Sequence, residues 1–347
     1  MGEKKFKFDV VIGNPPYQDE TVGNNSKAPS IYHLFLDQAE NVSNISEFIH
    51  PARFLFNAGD TPKKWNRKVL NDEHIKVLYY EKDSSKVFAN TDIKGGIAVT
   101  YYDNNKKYDP IGTFTPYPLL NDILHKVLKN NFTGFNNIVF SPVAYKFTEK
   151  MHYDNPELKK KLSEGNEYEI KTNVFDTIPE VFFDEKPSDG KNYVKILGRK
   201  DNERFFKYIR ADYIANKTNL MDYKVALPEA NGKGLLGETL SSPQVIGPSV
   251  GHTQTFITIG NFDNELEALN VDKYIKTKFV RALLGTLKIT QHNSISVWKN
   301  VPLQDFTSNS DIDWSKSIPE IDQQLYKKYE LDEEEINFIE THVKEMD

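Results

Sequence analysis

Within its first seventeen residues the chain sets Asn14, Pro15, Pro16 and Tyr17 directly behind the apolar run Val10, Val11, Ile12 and Gly13. Two adjacent prolines fix φ at both positions and carry no N–H, so the carbonyls of Asn14 and Pro15 keep nearly constant directions. The side-chain oxygen of Asn14 and the backbone oxygen of Pro15 then form a stiff pair of acceptors. Such a pair can take both hydrogens of one exocyclic amino group, while Tyr17 offers a flat face to a ring. An adenine N6 is a poor nucleophile because its lone pair is delocalised into the purine. Two acceptors outside the ring plane draw that nitrogen toward tetrahedral geometry and free the lone pair for in-line attack on an activated methyl group. The chemistry is positioning plus stabilisation of charge growing on nitrogen, and it calls for neither a base nor a metal.

The elements that must hold this loop are legible around it. Phe6, Phe8, Val10, Val11 and Ile12 alternate and then run together, the pattern of a buried strand ending at Gly13. The loop therefore stands at the carboxyl end of a strand, where open α/β sheets place their ligands. Ser30 is placed to cap a helix with Ile31, Leu34 and Phe35 on its apolar side, and "ISEFIHP" reads as a second strand stopped by Pro51. A basic helix near Lys63 to Leu70 leads into "HIKVLYYE" and "GGIAVTYYD", both rich in β-branched and aromatic residues. Strands alternating with helices predict an α/β sheet with crossovers. That pattern fades near residue 130. Short strands, glycine and proline punctuation, and helical stretches near 272–285 and 320–345 predict a second domain of α+β type. The expected domains are 1–130 and 131–347, with the boundary between 105 and 135.

With 38% apolar and 12% aromatic residues the 347-residue chain can build a real core. No apolar run is long enough for a bilayer and the charged start lacks a signal peptide's apolar stretch, so a cytoplasmic protein with no membrane partner is expected. There are no cysteines, and the eight histidines lack ligand spacing, so no metal is expected. The net charge of −6 is unevenly spread. Residues 305–347 hold 13 Asp/Glu against 4 Lys/Arg, which leaves the rest of the chain net positive. Residues 191–224 carry 9 Lys/Arg against 4 Asp/Glu, and 273–299 carry 6 Lys/Arg and no acid. A basic stripe on an acidic protein still attracts phosphates locally. In the first segment Arg199, Lys200, Arg204, Lys207 and Arg210 alternate with Phe205, Phe206 and Tyr208, a mixture suited to a nucleic-acid groove. In the second, Lys278, Arg281 and Lys288 accompany Gln291, His292 and Asn293, side chains able to bond base edges.

"VVIGNPPY" resembles the catalytic motif of gamma-type N6-adenine DNA methyltransferases of bacterial restriction-modification systems, in which the target-recognition domain comes last. "IYHLFLDQA", "FIHPARFLF" and "KVFANTDIKGGIAVTYYD" are similar to the later motifs of that catalytic domain. The resemblance implies that an aromatic of the "VF" segment, here Phe88, packs on the face of the flipped adenine opposite Tyr17. "YVKILGRKDNERFFKYI" is similar to the glycine-arginine segment that opens many recognition domains of this type. "YIKTKFVRALLGTLKITQHNSISVWKNVPLQDF" with "QQLYKKYELDEEEINFIE" resembles the carboxyl end of restriction-modification methyltransferases, fused type IIG proteins included. The fold implied is an incomplete Rossmann-like class I methyltransferase sheet followed by an α+β target-recognition domain that binds double-stranded DNA.

The methyl donor the resemblance implies is S-adenosylmethionine, to which Asn14 would contribute. Its glycine-rich loop normally lies well upstream of the Asn-Pro-Pro-Tyr strand, yet only thirteen residues precede Asn14. "NGKGLLGE" at 231–238 has glycines without the strand before or the helix after. The strand before Asn14 is then expected to have an open hydrophobic edge. An amino-terminal methyltransferase half, or another restriction-modification subunit, is the expected partner. The competing expectation is a non-catalytic DNA-binding specificity subunit or an inactive fragment. Nuclease motifs are lacking, with neither a Pro-Asp and paired Glu-x-Lys nor a His-Asn-His cluster.

Overall fold

The structure, a computed structural model, describes residues 7–19, 28–201, 203–215 and 218–346. The chain divides into two compact units after Asn121.

The first unit is built from β1 (Phe8–Gly13), α1 (Tyr32–Val42), β2 (Ser43–Pro51), α2 (Lys63–Leu70), β3 (Ile75–Glu81) and β4 (Ile97–Asp103). Its sheet has the order β1-β2-β4-β3. β1 and β2 are parallel, joined through α1, and β4 runs antiparallel to both β2 and β3. The expected crossover is therefore present once, while the short connection 82–96 turns β3 back into an antiparallel neighbour. β1, β2 and β3 all point the same way, so their carboxyl ends share one rim. One face of the sheet is packed: Tyr32, Leu36 and Ala39 of α1, with Trp65, Val69 and Leu70 of α2, close over Val11, Phe48, Val77 and Ala98.

Two details differ from expectation. The helix begins at Tyr32 with no side-chain cap, because Ser30 is drawn into a bridge with Gln18 and the Ile31 N–H bonds the Tyr17 carbonyl at 3.2 Å. The inward stripe is then Tyr32, Leu36 and Ala39, spaced i, i+4, i+7, and Leu34 and Phe35 are 52% and 43% exposed. Second, β1 ends at Gly13 as read but is not buried. Phe8, Val10 and Ile12 are 48%, 50% and 73% exposed. Val11 turns to the packed face, so by strand alternation Phe8, Val10 and Ile12 lie on the opposite, uncovered face, and among the described residues β1 pairs with β2 alone. The Lys7 N–H bonds the Val42 carbonyl at 3.0 Å, so by strand alternation the main-chain groups of Phe8, Val10 and Ile12 face the unpaired side. Among the described residues β1 has the open edge expected from the sequence.

The second unit follows α3 (Pro118–Lys129), within which the division falls. In chain order come β5 (Val139–Phe140), α4 (Glu149–Asp154), α5 (Val174–Thr177), β6 (Tyr193–Lys200), β7 (Glu203–Arg210), β8 (Tyr223–Pro228), β9 (Gln244–Ile246), β10 (Val250–His252) and β11 (Phe256–Phe262). The helices α6 (Glu265–Lys276), α7 (Lys278–Leu284), α8 (Ile318–Lys328) and α9 (Glu333–His342) complete it. Its strands form two sheets, β10-β6-β7 and β5-β11-β8-β9. The chain is thus a mixed α/β protein with several sheets.

Local chemistry sets the helix limits here. Asn264 caps α6, Thr277 breaks α6 from α7 and caps the latter, and Ser317/Glu320 and Asp332/Glu335 form capping boxes on α8 and α9. The Asp322 carboxylate of α8 accepts the Lys278 and Phe279 N–H groups at 2.9 Å each, tying α7 to α8. Every residue of α7 from Phe279 to Leu284 is buried. Among the described residues no helix is long and apolar enough to cross a membrane.

Candidate active site and recognition surfaces

The rim shared by β1, β2 and β3 collects three loops from distant parts of the sequence. Asn14 to Tyr17 leave β1. Pro15 is buried, whereas Asn14 and Pro16 are exposed and Tyr17 is half-buried, its ring packed against the core of the first unit. The buried proline anchors the loop, and the exposed asparagine stands beside it. The neck of the loop is closed by the Gln18–Ser30 bridge and by an Asp19 N–H to Pro29 carbonyl bond of 3.0 Å. The Tyr17 hydroxyl is buried beside the Asn14 side chain, and burial raises its pKa, opposed by that neighbour.

Beyond β2, the turn Arg53–Phe56 stands on the same rim. It lies within the stretch "FIHPARFLF" quoted above, of which no single residue was given a role. The available signal was the glycines, since Gly59 and Gly95 have φ of +86° and +89° and a Cβ on either would press on the Arg53 side chain, at 3.0 and 2.4 Å. Beneath it His50 is fully buried, with Nε2 2.7 Å from the Thr100 hydroxyl and its ring stacked 5.4 Å from Tyr32. Burial pushes its pKa down to about 4, so this histidine is a neutral part of the core.

Beyond β3, Phe88 is half-buried in a turn organised by Ser84. The Phe88 N–H bonds the Ser84 carbonyl at 2.9 Å and the Thr91 hydroxyl donates to the Phe88 carbonyl at 2.8 Å. β1 and β3 are separated by three strand spacings, about 14 Å. Phe88 and Tyr17 make no ring contact with each other, and they flank opposite ends of one rim.

The basic segment 199–210 forms the β6–β7 hairpin, but its cations and rings are engaged rather than arrayed along an open groove. Gly198 exists for packing, because a Cβ there would lie 2.1 Å from the Phe175 ring. Phe205 packs on the same Phe175 at 5.0 Å, and Phe206 faces a second cluster. Arg199 and Arg204 sit opposite each other in the hairpin. The Arg204 guanidinium donates to Gln244 Oε1 and to the Ser241 carbonyl, both at 3.2 Å, and stacks over Phe256. Burial lowers its pKa, with Arg199 adding to the effect. Lys200 pairs with Asp176, Lys207 with Asp184, and Arg210 with Asp154 and Asp212.

The expectation of a cationic surface at 278–293 needs a larger correction. Arg281 and Lys288 are 2% and 6% exposed. Because α7 is buried on every side, it has no solvent face for Arg281. The Arg281 Nε donates to the Lys276 carbonyl at 3.1 Å, and burial pushes its pKa down to about 10. Lys288 donates to the Asn231 carbonyl at 2.8 Å, Lys278 pairs with Glu340, and Asn293 donates to the Pro228 carbonyl at 2.8 Å. His292 is exposed and lies 2.8 Å from the Glu229 carboxylate.

Among the described residues no turn with paired glycines joins a strand to a helix beside β1, and no group of three or more His, Asp or Glu side chains is placed to hold a metal ion. The described residues of the rim thus do not fit a complete S-adenosylmethionine site.

Comparison with known proteins bears on the rim. The chain is similar to an uncharacterized adenine-specific methylase of Mycoplasma pneumoniae (strain ATCC 29342 / M129 / Subtype 1), 34% identical over 105 residues. That stretch is 29% of this chain and 24% of the relative, so the likeness spans about a quarter of the relative's length. Among solved structures it is similar to the type IIG restriction endonuclease BpuSI, at 10% identity and a TM-score of 0.30, over 90% of this chain and 48% of the other. It is also similar to the type IIL restriction-modification enzyme MmeI in complex with DNA, at 10% identity and a TM-score of 0.34, over 96% and 56%. Residues 2–88 match the family Eco57I restriction-modification methylase. The matched stretch holds Asn14 to Tyr17 and Phe88.

Proposed function

We propose that this chain is the base-handling and DNA-recognition part of a site-specific N6-adenine DNA methyltransferase of a restriction-modification system. The observation that carries the reading is the Asn14–Tyr17 loop, which is anchored by a buried Pro15, leaves Asn14 exposed, and lies within the methylase family match. In this reading the Asn14 side chain and the Pro15 carbonyl hold the two N6 hydrogens of an adenine turned out of the duplex. Tyr17 stacks on one face of its ring, and bringing Phe88 onto the other face requires its turn to move in from the far end of the rim. Residues 1–130 are then a partial Rossmann-like class I methyltransferase sheet, and 131–347 are the target-recognition domain.

The methyl donor is S-adenosylmethionine, with its cradle on an amino-terminal half or partner subunit that covers the apolar edge of β1. Lys200, Lys207 and His292 supply phosphate contacts. Their present ion pairs are exposed on at least one side, and such pairs are worth only about 0–1 kcal/mol, so a phosphate can displace the carboxylate. Arg199 and Arg204 hold the hairpin in shape beside them.

The test is reconstitution with the upstream-encoded half. Asn14→Ala is expected to lower methyl transfer to DNA at least about a hundredfold, the scale of losing one fixed polar contact to the developing charge. DNA affinity should change less than about twofold, because phosphate contacts set it. Undiminished transfer by Asn14→Ala would refute the assignment. The competing reading, a non-catalytic DNA-binding specificity subunit, predicts DNA binding without transfer even when a cofactor-binding half is supplied.

A further inference from the structure

The glycine-rich stretch 231–238, which no cofactor role absorbs, is zipped onto the distant loop 288–293. The Asn231 N–H bonds the Gln291 carbonyl at 2.7 Å, the Asn293 N–H bonds the Glu229 carbonyl at 2.7 Å, and the buried Lys288 ammonium bonds the Asn231 carbonyl at 2.8 Å. Gly234 has φ +79°, and a Cβ there would lie 2.4 Å from both the Ile289 carbonyl carbon and the Thr290 nitrogen, so the two main chains touch at this point. The Glu238 carboxylate accepts the Lys233 and Gly234 N–H groups at 2.9 and 3.1 Å and closes the turn. The Lys344 N–H bonds the Gly237 carbonyl at 3.1 Å, fastening the turn to the end of α9.

This doubly fastened platform presents apolar tips outward. Of the adjacent leucines, Leu236 packs beside Gly285, whereas Leu235 is 64% exposed, and Ile289 across the main-chain contact is 78% exposed. Exposed Lys233, Thr290, Gln291 and His292 neighbour them along the two loops, His292 being held 2.8 Å from the Glu229 carboxylate. Two large aliphatic side chains on a rigid loop pair gain nothing from water, and burying them would be favourable. Aliphatic tips ringed by a cation and by amide and imidazole groups match an unstacked base step, where apolar side chains fill the gap and polar neighbours meet base edges and phosphate.

We infer that Leu235 and Ile289 form a wedge that enters the DNA duplex and fills the space of a displaced base. The inference rests on the proposed DNA-recognition role and gives it a mechanical part, because a base leaves the stack more readily when its place is taken. Rigidity is essential to this part, and the Gly234 contact and the Lys288 bond supply it.

The experiment measures binding of the full chain at low salt to a short duplex and to the same duplex with one central abasic site. The abasic duplex, already unstacked, should bind about tenfold or more tightly than the intact one. The double variant Leu235→Ala/Ile289→Ala should bind the intact duplex within about twofold of wild type, since phosphate contacts remain, and should show no preference for the gap. Both tips are mostly exposed, so its unfolding transition should be unchanged. A preference that survives in the double variant, or equal binding of both duplexes by wild type, overturns the wedge and leaves DNA recognition standing. Binding to neither duplex overturns both.

Discussion

β1 and β8 are nearly interchangeable as sequence. FDVVIG and YKVALP are both six residues long, each with an aromatic start, one charge at the second position and an apolar remainder. Their surroundings are opposite. β8 lies between β11 and β9 and is buried from Lys224 to Pro228, while β1 is an edge with Phe8, Val10 and Ile12 exposed. The burial of Lys224 shows how completely β8 is enclosed. Its ammonium is fully buried and donates to the Asp222, Leu220 and Gly247 carbonyls at 2.9, 3.3 and 3.4 Å, and burial pushes its pKa down to about 8. A strand's apolar character therefore states only that it has something to bury. What buries it is a property of the neighbours, and among the described residues β1 has one neighbouring strand where β8 has two. In the first unit this leaves an edge open to another strand.

The comparison can be broken most sharply by truncation. Leu227→Ala, at a fully buried position of β8, should lower unfolding stability by about 2–5 kcal/mol in denaturant titration. Equal stability in that variant would mean that β8 is not the enclosed strand described. Acid probes both units in parallel, because His50 in the first and His252 in the second are fully buried with pKa values pushed down to about 4. Each folded state keeps its histidine neutral while the unfolded chain takes up a proton near pH 6.5. Stability is fully present above pH 6.5 and is lost as pH falls toward 4, by up to about 3 kcal/mol for each histidine. A flat melting temperature between pH 6.5 and 4.5 would contradict this. A smaller effect belongs to Gly198→Ala, whose Cβ would strike Phe175, with an expected loss of about 1–3 kcal/mol that Phe175→Leu in the same chain should partly restore. The smallest is Ile12→Ala on β1, expected below about 0.5 kcal/mol in the same titration that registers Leu227→Ala. A loss in Ile12→Ala as large as that in β8 would show that the edge is covered in solution, by a second copy or by another strand.

Much of the first unit was readable because its signals are local. The strands at 8–13, 43–51, 75–81 and 97–103 and the helix at 63–70 follow from period-two alternation, β-branched content, and glycine and proline stops. The rigidity of Asn14 to Tyr17 was readable for the same reason, since proline fixes φ whatever surrounds it. The failures were of another kind. Ser30 as a cap failed because Gln18 claimed that segment of chain for a bridge. Arg281 and Lys288 were read as surface cations because charge predicts exposure on average. Only the packing of α7 against α8 and the zipping of 229–234 onto 288–293 put them inside. The cations of the β6–β7 hairpin likewise found carboxylates from segments twenty or more residues away.

By itself, then, the sequence determined the proline-locked loop, the strand that carries it and the apolar pattern that demands a neighbour, because each depends on torsional limits or on period along one short segment. The tertiary structure alone decided which face of β1 is covered, which basic residues reach solvent, and that Leu235 and Ile289 share one platform. Those outcomes depend on which distant segments meet, and burial, ion pairing and loop rigidity are set by that meeting.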